Sequence, residues 1–380
     1  MKLIDRWRRE REFAQLLQKA PDRRFLHVQL DTTNVCNIQC VHCSVHLVRD
    51  VIHTEQMPLD LYQRIAREVF PHTRDLCLSA LAEPLMSRIF PEMLAGAKAH
   101  GVPYFRFITN GLLLDEKKAG VILDSGMHHI SISIDAATQP TYGRVRGGEL
   151  ERVWEGLRIL QRMKRERGAR HPVVQFNYVM LRSNLEEMVP LVEKAHELGV
   201  EQIDFRLPFL FQMQNLDDEL PSRDPALANR CMNAARRRCA ELGISLTQMP
   251  SAIPDEPELA PTPGATDPPA SAAHPACPVP WFFLVISSKG SVHPCCSPFM
   301  LSESALGSFR DETFAEIWTN EDFRQLRHEL ETGRLNRACS ACKQVNYLAS
   351  YDLPAENFFT QENPRFVHRL PRETLARIRS

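Results

Sequence analysis

The sequence predicts an α/β fold built on a parallel sheet, either a barrel or an open doubly wound sheet, followed by a small cysteine-rich part. Three observations carry this. From about residue 24 to 243 a short β-rich run, a loop, an amphipathic helix and a glycine recur six times. Ten prolines then fall between residues 250 and 280 and break that rhythm. Beyond the break, cysteines return at short spacings around a hairpin pattern.

The six runs are Phe25 to Leu30, Asp75 to Ser79, Tyr104 to Thr109, His129 to Asp135, Val173 to Met180 and Gln202 to Leu207, each too short for a helix. Apolar residues three and four apart predict helices over Leu59 to Phe70, Glu149 to Arg167 and Leu185 to Leu198. Gly101, Gly126, Gly168, Gly199 and Gly243 each follow a predicted helix, where glycine takes the left-handed conformation. After the proline-rich stretch, Trp281 to Ile286 and Ser291 to His293 flank Ser287-Ser288-Lys289-Gly290 as a hairpin, and Phe314 to Leu330 reads as one amphipathic helix. The expected organisation is a helical cap over 1–23, a core over 24–245, a linker over 246–276, a cysteine-rich domain over 277–350 and a tail over 351–380. The basic helix from Arg6 to Lys19 is expected to be a solvated cap.

Composition bounds the function. The chain has 380 residues, 43% hydrophobic and 24% charged, which is ordinary for a globular protein. Lys plus Arg number 46 against 47 Asp plus Glu, so there is no polyelectrolyte signature pointing to nucleic acid or an anionic membrane. No apolar run approaches the roughly 20 residues of a membrane span, and charges fill the N-terminus where a signal peptide needs an apolar core. The expected location is cytoplasmic. Eleven cysteines cannot all pair, and their clustering favours metal ligation over disulfides.

Cys36, Cys40 and Cys43 follow the first strand within DTTNVCNIQCVHCSVH. Three thiolates in eight residues suit one polynuclear centre with an iron left open, the alternatives being zinc with His42 or His46 as fourth ligand, or unrelated thiols. This CxxxCxxC run resembles the signature of the radical S-adenosylmethionine (SAM) superfamily. The resemblance implies a partial (β/α)6 TIM-like barrel, a 4Fe-4S cluster on the three cysteines, and SAM chelated to the open iron. It also implies an external electron donor such as flavodoxin or ferredoxin. Cluster reduction in that family cleaves SAM to a 5′-deoxyadenosyl radical, which abstracts hydrogen from substrate.

Further segments match the family piece by piece. Ser79-Ala80-Leu81-Ala82-Glu83-Pro84 resembles its GGEP segment, implying that Glu83 binds the SAM amino group; Leu81 and Ala82 stand where glycines are usual. SISIDAATQPTYGRVRGG resembles the strand 4 region, implying Ser133 and Arg146, with Arg144 as second choice, at the SAM carboxylate. Asn110, in Thr109-Asn110-Gly111, also resembles family members, although Asn-Gly is a common turn.

Cys277, Cys295, Cys339 and Cys342 form a second group. By spacing alone four-cysteine zinc is a serious alternative. The segments CPVPWFFLVISSKGSVHPCC, IWTNEDFRQLRHEL and CSAC resemble the C-terminal extension of SPASM proteins, in the shorter Twitch form, implying one auxiliary 4Fe-4S cluster. Cys296 is a spare thiol, an alternative ligand or a hydrogen donor. Cys77, Cys231 and Cys239 read as ordinary thiols. An auxiliary cluster suits a substrate radical that must lose or gain an electron. The leading expectation is therefore redox modification, a dehydrogenation, of a small molecule such as a sugar or aminocyclitol. Only 35 residues precede Cys36, which favours that reading over the alternative, a SPASM-type maturase or epimerase of a ribosomal peptide or protein. A non-catalytic metal scaffold is the reading from another class. Arg206, at the end of strand 6, is the expected substrate anchor at the barrel mouth.

Overall fold

The computed structural model describes residues 24–43, 55–208, 216–254, 279–296, 305–332 and 334–340. The expected N-terminal cap, Cys277, Cys342 and the C-terminal tail lie outside these residues. Among these residues ten strands form one open sheet in the order β10-β9-β8-β1-β2-β3-β4-β5-β6-β7, with the short β10 (Gly307–Ser308) at its edge. Strands β1 (Leu26–Leu30), β2 (Thr73–Cys77), β3 (Tyr104–Thr109), β4 (His129–Ser133), β5 (Val173–Val179) and β6 (Gln202–Arg206) pair in parallel, in sequence order. These are the six predicted runs, shifted by two residues at most. Their helices close with glycines at φ between 59° and 70°, at Gly101, Gly126, Gly168, Gly199 and Gly243.

Alternation along each strand sorts the sheet into two faces. Leu26, Val28, Leu30, Leu76, Phe105, Phe107, Ile130, Ile132, Val174, Phe176, Ile203 and Phe205 are buried in the main core, packed with the apolar stripes of the helices. The residues between them are His27, Gln29, Asp75, Cys77, Arg106, Ser131, Ser133, Gln175, Asn177, Asp204 and Arg206, which share the opposite, inner face. Strand register makes that face continuous, with His27 beside Asp75, Cys77 beside Arg106, Ser131 beside Gln175, and Asn177 beside Asp204.

Three features depart from the sequence expectation. A seventh parallel strand, β7 (Ser245–Gln248), follows β6, and Ile253 is buried beyond it, where Asn229 brackets its backbone N–H and carbonyl at 2.7 and 2.9 Å. The first residues of the expected linker thus belong to the packed sheet. The expected hairpin forms as β8 (Phe283–Ile286) and β9 (Ser291–His293), with Gly290 at φ 86° in its turn, but β8 also pairs in parallel with β1, so the C-terminal part extends the same sheet. The single helix expected over Phe314 to Leu330 is two, Phe314–Trp318 and Glu321–Thr332. Asn320 separates them because its side chain accepts from Phe323 N at 2.9 Å, capping the second helix.

Candidate cluster and cofactor site

The site is assembled at the C-terminal ends of β1 to β5. Directly after β1, Asp31 turns its carboxylate under the loop that follows β2: Oδ1 accepts from Ala80 N at 2.6 Å and Oδ2 from Leu81 N at 3.0 Å. Burial pushes the Asp31 pKa up to about 6 despite these bonds. The same loop presents Glu83, whose Oε1 accepts from the Thr109 hydroxyl at 2.5 Å and Leu85 N at 3.1 Å, and whose Oε2 accepts from Asn110 N at 2.7 Å. Burial raises the Glu83 pKa, against the pull of those donors. Glu83 therefore ties the β2 loop to the end of β3. Asn110 in turn reaches the cysteine loop, its side-chain amide donating to Asn37 Oδ1 at 2.8 Å and lying 3.9 Å from Cys36 Sγ.

Cys36 is exposed, Cys40 buried and Cys43 half-buried. Their loop is pinned from below, because Val41 N donates to the carbonyl of Val145 at 2.9 Å. Burial raises the pKa of both Cys36 and Cys40; Cys43 acts on Cys36 and Cys36 on Cys40 in the same direction, while Arg146 opposes it at both. A thiol that binds metal does so as thiolate, so Arg146 is the side chain that favours the binding form. Arg146 is buried and bonds Asp135 through Nη1. Burial works against its charge, and the Cys40 sulfur and the Asp135 carboxylate more than offset that, raising its pKa above the ordinary arginine value. Gly147 and Gly148, at φ 79° and 89°, stop the helix Gln139–Val145 and let the chain turn immediately after it.

Three buried polar atoms around Cys40 lack a hydrogen-bond partner: His42 Nδ1, Arg146 Nε and Tyr142 OH. Donors and an acceptor left open beside three clustered thiols fit a polar, anionic centre and its ligand. Burial lowers the His42 pKa in spite of Asp135, whose Oδ2 lies 3.3 Å from His42 Nε2.

The remaining predicted residues are distributed as follows. Ser133 is half-buried at the end of β4, on the inner face. Arg144 is exposed, with Nη2 3.4 Å from the Thr141 hydroxyl, so of the two arginines Arg146 is the one beside the cysteines. Arg206 lies on the inner face at the end of β6, bonded through Nη2 to buried Asp204. Cys295 and Cys339 pack against the same small cluster of Trp281, Leu326, Leu330 and Ala338. Cys296 beside them is exposed. Because β9 runs antiparallel to β8, Cys295 lies toward the N-terminal ends of the strands, opposite Cys36 to Cys43.

Sequence reasoning missed Asp31, Asp135 and the inner-face residues other than Ser133 and Arg206. On that face Arg106 Nε lies 3.3 Å from Asp75 Oδ1, His27 Nδ1 lies 3.7 Å from Asp75 Oδ2, and Arg106 Nη1 lies 3.4 Å from Cys77 Sγ. Burial acts to raise the Asp75 pKa, and Arg106 and His27 outweigh it, so it is lowered. The signal was present as polar residues alternating with apolar ones in LHVQL and YFRFIT.

Two family profiles match the chain, "Radical SAM superfamily" over residues 30–195 and "Iron-sulfur cluster-binding domain" (SPASM) over 277–343. Among curated proteins, an AdoMet-dependent heme synthase of Methanosarcina barkeri is 26% identical over 89% of this chain and 95% of its own length. A PqqA peptide cyclase of Granulibacter bethesdensis is 23% identical over 76% of this chain and 72% of its own. Among solved structures, Streptococcus suis SuiB bound to precursor peptide SuiA aligns with a TM-score of 0.61 at 12% identity, covering 84% of this chain and 70% of that one, which shows the shared fold.

Proposed function

The chain carries a radical SAM domain and a SPASM iron-sulfur domain, and with them S-adenosylmethionine and main and auxiliary 4Fe-4S clusters as cofactors; from that premise we propose a radical SAM enzyme that modifies a peptide or protein. The observation that carries the substrate class is the inner face. It offers half-buried hydrogen-bonding side chains on β1, β3, β4 and β6, namely His27, Gln29, Arg106, Ser133 and Arg206. A peptide backbone, with a donor and an acceptor at nearly every residue, is matched by such a surface. The curated peptide cyclase supports the same reading. The small-molecule dehydrogenation expected from the sequence gives way to it, and an oxidoreductase assignment has no support beyond the cofactors.

The residues divide the work. Cys36, Cys40 and Cys43 would hold the main cluster, and Cys277, Cys295, Cys339 and Cys342 the auxiliary one. Bound there, the cluster and SAM supply hydrogen-atom abstraction from a substrate C–H bond. Arg146 stabilises the Cys40 thiolate, Glu83 and Asn110 set the β2 and β3 loops around Cys36, and Ser133 stands at the mouth. Arg206, held by Asp204, faces the substrate side.

A second reading is favoured by the heme synthase, which aligns over nearly its whole length: a substrate of the tetrapyrrole class. Reconstituted, reduced protein given SAM separates the two. Deoxyadenosine formation that depends on peptides encoded beside its gene supports the peptide reading. Dependence on a carboxylate-bearing iron porphyrin instead would replace it with the second, and clusters without any SAM cleavage would remove both.

A further inference from the structure

Within β1 to β6 the inner face carries two acids, Asp75 and Asp204, and two arginines, Arg106 and Arg206, one arginine against each acid. Exposure divides both pairs the same way. The Arg106 side chain is 12% exposed against 6% for Asp75, and that of Arg206 29% against 2% for Asp204. The carboxylates are the more deeply buried members, so a group that enters along this face meets positive charge first.

Arg106 is held in one plane. Its Nε faces Asp75 Oδ1 at 3.3 Å, and Nη1 donates to Cys77 Sγ at 3.4 Å. The thiol gives its own hydrogen to the carbonyl of Ser79 at 3.2 Å, which leaves the sulfur to accept. Asp75 is braced in turn by His27, whose Nδ1 lies 3.7 Å from Oδ2. A guanidinium is planar, so fixing Nε and Nη1 also fixes Nη2. Nη2 makes no hydrogen bond to any described residue. Neutralising Asp75 engages Nε, and the two N–H groups of Nη2 are left for a ligand. We propose that Arg106 determines substrate specificity by binding a carboxylate of the substrate at the inner face. This rests on the reading that the inner face receives the substrate, and narrows that substrate to an anionic one. In a peptide the group is an Asp or Glu side chain or the C-terminus; in a tetrapyrrole it is a carboxylate carried on the ring. A peptide carbonyl brings one acceptor atom and no charge, whereas a carboxylate brings two and a charge that matches the guanidinium.

The test gives reconstituted, reduced protein SAM and reads the dependence of deoxyadenosine formation on two probes, the peptides encoded beside its gene and a carboxylate-bearing iron porphyrin. Native protein that responds to neither removes both substrate readings, and this inference with them. For the probe that responds, the substrate is altered first, which needs no variant. In the peptide, Asp and Glu are changed in turn to Asn and Gln and the C-terminus is amidated; in the porphyrin, the carboxylates are converted to methyl esters. One such change is expected to raise KM about tenfold. Arg106→Gln, compared at equal iron content, is expected to raise KM for the unaltered probe by a similar factor with kcat changed less, and Arg106→Lys to recover part of the loss because it keeps the charge. The variant and the altered probe together should lose no more than either alone, because both remove one contact. A carboxylate-free probe that matches its parent on native protein, a native KM in Arg106→Gln, or losses that add in the combination would each overturn the proposal and leave the substrate reading standing. The probe that shows the coupling identifies the source of the carboxylate as peptide or tetrapyrrole.

Discussion

Asp31 shows what one buried carboxylate does to the pH dependence of this fold. Its pKa rises to about 6 through burial, from an ordinary value of 3.8. Between those values the folded chain holds a proton that the unfolded chain has released, so stability falls as pH rises through the window. The difference is on the order of 3 kcal/mol. Urea unfolding of the apoprotein at pH 4 and pH 7 should show a steeper loss than Asp31→Asn does; equal slopes would refute the shift. The two arginines of RVRGG make a second comparison. Arg146→Ala strands the buried Asp135 charge and is expected to cost about 3 kcal/mol, whereas exposed Arg144→Ala should stay within about 0.5 kcal/mol; thermal melting of both variants checks this. At this scale the sequence was readable where chemistry is local. The cysteine spacing marks itself, while the contact of His42 with Asp135 depends on tertiary closure between distant segments, which no local pattern records.

Elements were legible to the degree that their burial was one-sided. β1 to β6 alternate or run apolar, and β3 to β6 each follow a helix-closing glycine, so they stood out. β7 is Ser-Leu-Thr-Gln, with a single apolar residue, because it needs to bury little at the sheet edge. The helix expected over Phe314 to Leu330 was read through Asn320 because apolar spacing continues across it, and only the cap reveals the break. Glycines within helices make a test of packing against propensity. In Leu150–Glu166, a Cβ on Gly156 would sit 2.6 Å from the carbonyl oxygen of Leu114, which is backbone and cannot turn aside. Gly156→Ala is expected to destabilise by about 1 to 3 kcal/mol despite its better helix propensity. In Glu116–Ser125, a Cβ on Gly120 would meet Arg167 and Met163 at 3.8 and 3.9 Å, ordinary contact. Gly120→Ala should stabilise by up to about 1 kcal/mol. Chemical denaturation of the pair decides it, and loss of stability in both would mean that propensity was misjudged.

For the whole molecule, the two cysteine groups predict two separable metal contents. Anaerobic reconstitution should give about eight irons and eight sulfides per chain, and changing Cys36, Cys40 and Cys43 together to alanine should remove about half. Zinc retained through Cys339 and Cys342 would contradict the auxiliary cluster. Among the described residues no helix is long and apolar enough to cross a membrane. The whole-molecule feature least visible in the sequence was the union of the C-terminal hairpin with the barrel sheet, since the proline-rich stretch looks like a boundary and strand neighbours are set by tertiary closure.

That union has a consequence for dissecting the protein. β1 is covered on one side by β2 and on the other by β8, through four register pairs from His27↔Phe283 to Leu30↔Ile286. Cutting the chain after residue 254 would strip β8 away and leave β1 with a row of unsatisfied amides, a template for a second copy to pair with. The SAM-binding half is therefore not expected to survive as a well-behaved monomer: such a truncation should self-associate on size exclusion, and the two chemistries must be separated by cysteine substitution within the intact chain.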